Sequence, residues 1–187
     1  MNESVKMGFT YDVIQLSPEG KIVSHQKVNN IMINEGLSLF LQGLFLKKSP
    51  PKNFFIQFIE TDYQPLSTDT FKTSAEANYG IDKTLWDNYV TNSSQITNPL
   101  LTNFSTVSGS NDLISSNEVN YTFTEYKTIT GACLIFDISP TTITGSTTWK
   151  HLLTRAYLIS AALFYTPVQI VPNGTLKLRL NFSLISA

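Results

Sequence analysis

The sequence predicts an all-β protein, a jelly-roll-like β-sandwich with one short helix after the N-terminal hairpin. Three observations predict it: apolar residues alternate along several segments, turn residues separate these segments at short intervals, and charged residues make up only 14% of the chain. With 187 residues, the chain is long enough for a hydrophobic core without disulfides. We therefore expect a single β-sandwich domain over residues 1–187.

The chain is predicted to begin with a β-hairpin followed by a helix. The strand-like segments 9–16 and 22–28 are joined by a turn that contains Pro18 and Gly20. Segment 34–47 then has apolar residues at helical spacing (Leu37, Phe40, Leu41 and Leu44), and Asn34 is a residue type that caps helices. Gly36 and Gly43 disfavour this helix, since glycine lowers helix propensity.

The middle of the chain alternates between strand signals and polar sequence. Segment 53–61 is rich in aromatic and β-branched residues and predicts a buried strand. Residues from about 86 to 116 form a long polar loop region, dense in Ser, Thr and Asn, for which we expect extended, partly strand-like structure. Strand patterns return at 118–126 and 132–139. Segment 154–164 is apolar on both faces, which predicts a central strand that is covered on both sides.

The C-terminal segment has the clearest strand pattern. Leu176, Leu178, Leu180 and Phe182 alternate with polar residues, so one face of this strand is expected to be buried. The pair Asn173-Gly174 precedes it and is typical of tight hairpin turns. We therefore predict a closing β-hairpin whose last strand reaches almost to Ala187.

Composition and charge limit the classes of partner. The net charge is −1, so we expect no binding to nucleic acid or to an anionic membrane surface. Polarity comes largely from uncharged groups, because Ser and Thr together make 41 residues and Asn another 15. No apolar run is long enough to span a bilayer, and the first residues lack the apolar region of a signal peptide. Cys133 is the only cysteine and lies in an apolar segment, so it is expected to be buried.

No pattern in the sequence indicates catalysis. The only histidines are His25 and His151, and neither stands at metal-ligand spacing from another ligand type. Phosphate-binding glycine loops and nucleophile elbows are absent from the sequence. We predict a protein that is not an enzyme, with no catalytic residues, no metal and no cofactor. An enzyme would need a concave pocket around His25 or His151 with a carboxylate within hydrogen-bond reach.

Several aromatic residues fall in segments predicted to be loops, and they are the candidate interface residues. Two interpretations are open: these side chains fill the core from irregular segments, or they anchor a protein interface, where Tyr and Trp are enriched. The set consists of Tyr63, Phe71, Tyr79, Trp86, Tyr89, Phe104 and Trp149.

Three segments together resemble small phage virion structural proteins of the capsid cement or decoration type. The first, VNNIMINEGLSLFLQGLF (28–45), resembles their hairpin-to-helix start with its Gly-Leu pair. The second, FFIQFIETDYQPLSTDT (54–70), is similar to their aromatic-led strand, with a Tyr-x-Pro and an Asp-Thr turn. The third, ALFYTPVQIVPNGTLKLRLNFSL (162–184), looks like their closing hairpin.

The resemblance implies a cement function. Such a protein binds the outside of the capsid, clamps neighbouring major capsid subunits and associates with copies of itself, as a dimer or trimer. It would be made in the host cytoplasm and would lie on the outer surface of the virion. The alternative is a glycan- or receptor-binding module of a head or tail fibre, in which Trp86, Tyr89 or Trp149 would stack on sugars.

Overall fold

The chain folds into two antiparallel β-sheets. The structure, a computed structural model, describes residues 5–46, 53–81, 101–102, 104–108, 113–137 and 156–186. Within these residues strands predominate and helices are few, which confirms the prediction of an all-β fold.

The first sheet contains both ends of the described chain. Its strands are β1 (Val5–Leu16), β2 (Ile22–Asn29), β6 (Phe104–Thr106), β7 (Leu113–Ser116), β8 (Val119–Thr122) and β11 (Thr175–Ser186). The strand order is β2-β1-β11-β7-β6, and β8 also pairs with β11. β1 and β11 pair at every position from Val5↔Ser186 to Leu16↔Thr175, so the first and last strands lie side by side within the sheet.

The second sheet carries the two helices. Its strands are β3 (Ile31–Met32), β4 (Asn53–Ile59), β5 (Leu101–Thr102), β9 (Lys127–Asp137) and β10 (Ala156–Ile170), in the order β3-β10-β9-β4-β5. The helices are α1 (Asn34–Leu46) and α2 (Phe71–Ser74). The N-terminal hairpin of β1 and β2 and the helix that begins at Asn34 are both found as predicted.

Two apolar cores cover the second sheet on both faces. The core between the sheets includes Tyr11 and Leu178 from the first sheet and Leu134 from the second. The other core lies on the opposite side of the second sheet, where Ile135 packs with Phe71 and with other residues of the helical layer. β10 contributes to both cores, which confirms the prediction that this strand is covered on both sides.

α1 packs closely on β10 because Gly36 has no side chain. A Cβ atom at Gly36 would lie only 2.4 Å from Ile159 Cα. Glycine is found where two backbones approach this closely. The residue that disfavours a helix in the sequence is therefore the one that lets this helix reach the sheet.

The predicted closing hairpin is wrong, although β11 itself extends to Ser186 as predicted. β10 pairs with β3 and β9, whereas β11 pairs with β1, β7 and β8, so the two strands belong to different sheets. Asn173 adopts φ 66° in the turn between them, and Gly174 N donates to Val171 O at 2.9 Å. The predicted turn at Asn173-Gly174 is confirmed, whereas side-chain alternation fixes the buried face of a strand and not its neighbour.

The polar region from about 86 to 116 is partly strand, as expected. β5, β6 and β7 fall in it at 101–102, 104–106 and 113–116. Residues 82–100, 103 and 109–112 lie outside the described part of the chain.

Candidate functional site

Three turns meet at one end of the two sheets, which we call the turn end: residues 17–21, 123–126 and 171–174. Leu16 pairs with both Ile22 and Thr175, which places the first turn beside the third. Phe123 N donates to Gly174 O at 3.0 Å and Asn173 N donates to Phe123 O at 2.7 Å, which ties the second turn to the third. These backbone hydrogen bonds fix the positions of the three turns relative to each other.

A cleft of about 310 Å³ opens at the turn end. It is lined by two short segments, Tyr126, Lys127 and Thr128 at the start of β9, and Gln169, Ile170 and Val171 at the end of β10. The segments adjoin because Lys127 pairs with Ile170 and Thr128 pairs with Gln169 across the second sheet. The volume lies at the lower end of the range that small-molecule sites occupy.

The cation in the cleft is neutralised by its neighbours. Lys127 Nζ lies 3.4 Å from Glu60 Oε2 and 3.6 Å from Glu125 Oε1. Two carboxylates therefore surround one ammonium group. A bound anion would have to compete with both of them, so the local charge disfavours phosphate and carboxylate ligands.

The polar groups of the cleft are held in a defined orientation. Thr128 Oγ1 donates to Gln169 Oε1 at 2.9 Å, and Gln15 Nε2 donates to the backbone oxygen of Gln169. Gln169 Nε2 has no hydrogen-bond partner among the described residues. This amide can therefore donate to a ligand without breaking a bond to the protein.

Tyr126 is one of the most exposed aromatic residues of the described chain. Its side chain and backbone are 76% exposed, and Val171, Ile22 and Val23 near the same end are exposed as well. Large apolar groups that cluster at one end of a protein are typical of an interaction surface.

A second exposed apolar surface lies on the C-terminal half of α1, which we call the helix patch: Leu41, Phe45 and Leu46. Phe45 is 75% exposed, and Leu41 and Leu46 are exposed beside it. Residues four apart share a helix face, so Leu41 and Phe45 lie together.

Two of the candidate interface residues are buried. Phe71 and Tyr79 are both 0% exposed and belong to the core on the helical side of the second sheet. Their burial favours the core-filling interpretation for these two residues, because a side chain without exposed surface cannot contact a partner of the folded protein.

Tyr63 packs against the same core and shares a hydrogen-bond acceptor with Tyr79. Asp69 accepts from Tyr63 Oη at 3.0 Å and from Tyr79 Oη at 2.8 Å, and its carboxylate also accepts from Leu66 N at 2.8 Å. Burial of Tyr79 raises the pKa of its hydroxyl, and the adjacent Asp69 carboxylate adds to the shift. The three bonds give the buried carboxylate a structural role that holds the 61–70 segment.

The remaining candidates are placed less centrally. Phe104 is partly buried and meets Phe54 edge-on, with ring centroids 5.2 Å apart. Trp86, Tyr89 and Trp149 lie outside the described residues.

His25 has a carboxylate neighbour, but the pair does not line the cleft. His25 Nε2 lies 2.5 Å from Asp12 Oδ1, and His25 is exposed on β2. The cleft at the turn end contains neither residue. His151 lies outside the described residues.

Cys133 is buried, and desolvation raises the pKa of its thiol. No group of three or more His, Cys, Asp or Glu side chains within the described ranges is placed to hold a metal ion. In the same part of the chain, neither helix has the length and apolar character that crossing a bilayer requires.

Sequence reasoning missed Tyr126, Tyr165 and Phe45, which are the three most exposed aromatic residues in the described part of the chain. A weak signal for Tyr165 was available, since Pro167 follows it closely and proline interrupts strand pairing. The pairing of β10 with β9 does shift between Leu163 and Val168, and Tyr165 lies in this interruption.

Comparisons with known proteins found no matching family model, no matching curated protein and no matching solved structure.

Proposed function

We propose that this chain is a phage capsid cement (decoration) protein. It binds the outside of the shell, clamps neighbouring major capsid subunits and stabilises the particle. The activity is binding and not chemistry. Many copies attach to one shell, so weak contacts add up through the high effective concentration of neighbouring sites.

The observation that carries the proposal is the pairing of β1 with β11. Twelve consecutive register positions join the first strand to the last, and β11 is flanked on its other side by β7 and β8. Strands that are paired along their whole length fray less than unpaired segments. A protein that must persist outside a cell on a particle surface benefits from this arrangement.

The three segments that resemble cement proteins meet in the fold. Asn34 N of the first segment donates to Ser67 O of the second at 2.8 Å. Val28, Phe58 and Phe164, one from each segment, belong to the core between the two sheets. This proximity is compatible with the proposed relationship to cement proteins.

We assign the contact with the major capsid protein to the helix patch. Leu41, Phe45 and Leu46 offer apolar surface that a protein partner would cover. Trp86, Tyr89 and Trp149 stay predicted interface residues, as do Tyr63 and Phe104. Self-association as a dimer or trimer at a symmetry axis is part of the proposal, since oligomers on closed shells follow the local symmetry.

The finer prediction of a jelly-roll connectivity also belongs to the proposal. Two facing sheets occur in several sandwich topologies, and jelly rolls are one class among them that includes viral capsid proteins.

The test is the copy number of this protein relative to the major coat protein in purified particles, by quantitative mass spectrometry. A ratio of about one fits a cement protein that occupies the whole shell. A ratio of only a few per hundred coat subunits overturns the proposal and favours a fibre or tail module.

A variant tests the assigned surface in the same particles. Phe45→Ser should reduce the amount of bound protein, because it removes the most exposed apolar side chain of the helix patch. Leu66→Ser is the matched control, since Leu66 is 53% exposed but lies outside α1. Equal binding of both variants contradicts the assignment of the helix patch.

A further inference from the structure

The cleft at the turn end combines features that select a class of ligand. It has an exposed aromatic ring, Tyr126, and an oriented amide, Gln169. The cation that lines it, Lys127, is already paired with Glu60 and Glu125. A ligand that fits this combination is rich in hydroxyl groups, carries no charge and offers an apolar face.

We propose that this cleft binds a neutral saccharide. A pyranose ring presents C–H groups on one face and hydroxyl groups at its rim. The apolar face of the sugar would stack on the ring of Tyr126. This contact would remove the exposed surface of the ring from water, which favours binding. This activity goes beyond the proposed attachment to a shell and does not depend on it.

Gln169 would supply the directional contact. Its Oε1 is occupied by the Thr128 hydroxyl, so the amide plane is held and Nε2 is the group left to bind a sugar hydroxyl. The Thr128 hydroxyl donates its proton to Gln169 and keeps lone pairs that can accept from a second hydroxyl. Donor and acceptor would then lie next to each other, as recognition of adjacent sugar hydroxyls requires.

The paired charges argue against an anionic ligand. A sialylated or phosphorylated sugar would bring its charge close to Glu60 and Glu125, and these two carboxylates already offset the charge of Lys127. About 310 Å³ is small among small-molecule sites, so one sugar ring would occupy the cleft while the rest of a saccharide extends into solvent. One stacked ring and few hydrogen bonds give a dissociation constant on the order of millimolar for a single site.

The experiment is a titration of the isolated, isotope-labelled full chain, followed by the backbone amide shifts in NMR spectra. The probes are neutral trisaccharides that end in glucose, galactose, mannose or N-acetylglucosamine, with sialyllactose as the anionic probe. We expect saturable shifts at residues 126–128 and 169–171 with at least one neutral probe and none with sialyllactose.

Two exposed tyrosines provide a matched pair of variants. Tyr126→Ala should weaken binding by about tenfold or more, as loss of a stacking ring typically does. Tyr165→Ala should leave it unchanged, because Tyr165 is 73% exposed, close to the 76% of Tyr126, but does not line the cleft. Gln169→Met, which keeps the length of the side chain and removes the amide, should also weaken binding.

The proposal is overturned if no neutral probe gives saturable shifts at these residues. It is equally overturned if Tyr126→Ala and Tyr165→Ala bind alike, or if only the anionic probe binds. This titration uses the isolated chain, whereas the copy number is measured on purified particles. Failure of saccharide binding is therefore distinguishable from failure of the cement proposal.

Discussion

Glu35 Oε2 accepts hydrogen bonds from the backbone amides of two separate elements, Phe71 N at 3.0 Å and Leu158 N at 2.7 Å. Phe71 begins α2, and Leu158 lies where the pairing of β10 with β9 shifts by one residue. Such a shift leaves a residue of the bulged strand unpaired, and a carboxylate is a strong acceptor for backbone N–H groups. One side chain in the first turn of α1 therefore joins the helix to the second sheet and to α2.

We expect Glu35→Ala to lower the free energy of unfolding by about 3 kcal/mol, because two partly buried N–H groups lose a charged acceptor. Glu35→Gln keeps an acceptor oxygen in place but removes its charge, so it should lower the free energy of unfolding by about half as much as Glu35→Ala. Urea unfolding followed by circular dichroism measures both. Glu19→Ala is the control: Glu19 is exposed in the 17–21 turn, and its loss should change stability by no more than about 0.5 kcal/mol. Similar losses for Glu35→Ala and Glu19→Ala would contradict the bridging role.

The two glycines of α1 provide a second test. Gly36→Ala should destabilise the protein by about 3 kcal/mol, because the new methyl group meets backbone atoms of β10 that cannot move away independently. A Cβ at Gly43 would meet nothing within 4 Å, so Gly43→Ala should stabilise α1 by up to about 1 kcal/mol through helix propensity alone. Thermal unfolding of the two variants checks the prediction, and an equal effect of both would show that α1 does not pack on Ile159 through Gly36.

Local patterns in the sequence predicted the elements of the fold. The alternation in β11 reflects the buried face of that strand, which can be read from a single segment. The apolar spacing in α1 predicted the helix but not its buried face, because Leu41 of that set is exposed. β10 was predicted to be covered on both sides because its sequence is apolar on both faces. Gly36 shows the limit of such reasoning, since its effect on α1 is decided by Ile159, more than a hundred residues away.

Strand neighbours and surface exposure could not be predicted in this way. The partner of β11 is β1, at the other end of the chain, and only the packed sheets determine this pairing. The cleft likewise combines Tyr126 and Gln169, which are separated along the chain by the whole of β9 and most of β10, so no local stretch of sequence contains both. A position in a predicted loop does not imply exposure, since the side chains of Phe71 and Tyr79 are fully buried. Whether a loop aromatic is buried depends on what it packs against.

Salt should have little effect on attachment to a shell. On the first sheet, Lys177 Nζ lies 3.0 Å from Glu118 Oε1 and Arg179 Nη2 lies 3.9 Å from Glu118 Oε2, so one carboxylate partly offsets two cations within the protein. An apolar contact is not screened by ions, whereas an interface of exposed ion pairs is weakened between about 0.1 M and about 1 M salt. The measurement is the amount of protein that stays on sedimented particles across this range. Release in high salt well before the shells lose integrity would contradict an apolar contact.

The protein should lose stability in alkaline solution because of three buried groups. Burial raises the pKa of Cys133 above its ordinary value of 9.0 and the pKa values of Tyr11 and Tyr79 above 10.0. In the unfolded chain these groups release their protons near the ordinary values, while the native state keeps them. The native state then binds more protons, so the free energy of unfolding falls as pH rises above about 9.

The expected slope is about 1.4 kcal/mol per pH unit for each group, so it steepens above about pH 10, where both tyrosines contribute. Urea unfolding between about pH 7 and about pH 11 measures it. Tyr11→Phe should reduce the slope by about 1.4 kcal/mol per pH unit above about pH 10. It also removes the hydrogen bond between Tyr11 Oη and Ser160 Oγ, so the variant is less stable at neutral pH. Cys133→Ala should move the pH at which stability begins to fall from about 9 toward about 10, because only the two tyrosines then release protons on unfolding. A free energy of unfolding that stays constant up to about pH 11 would show that these groups are not held protonated in the folded chain.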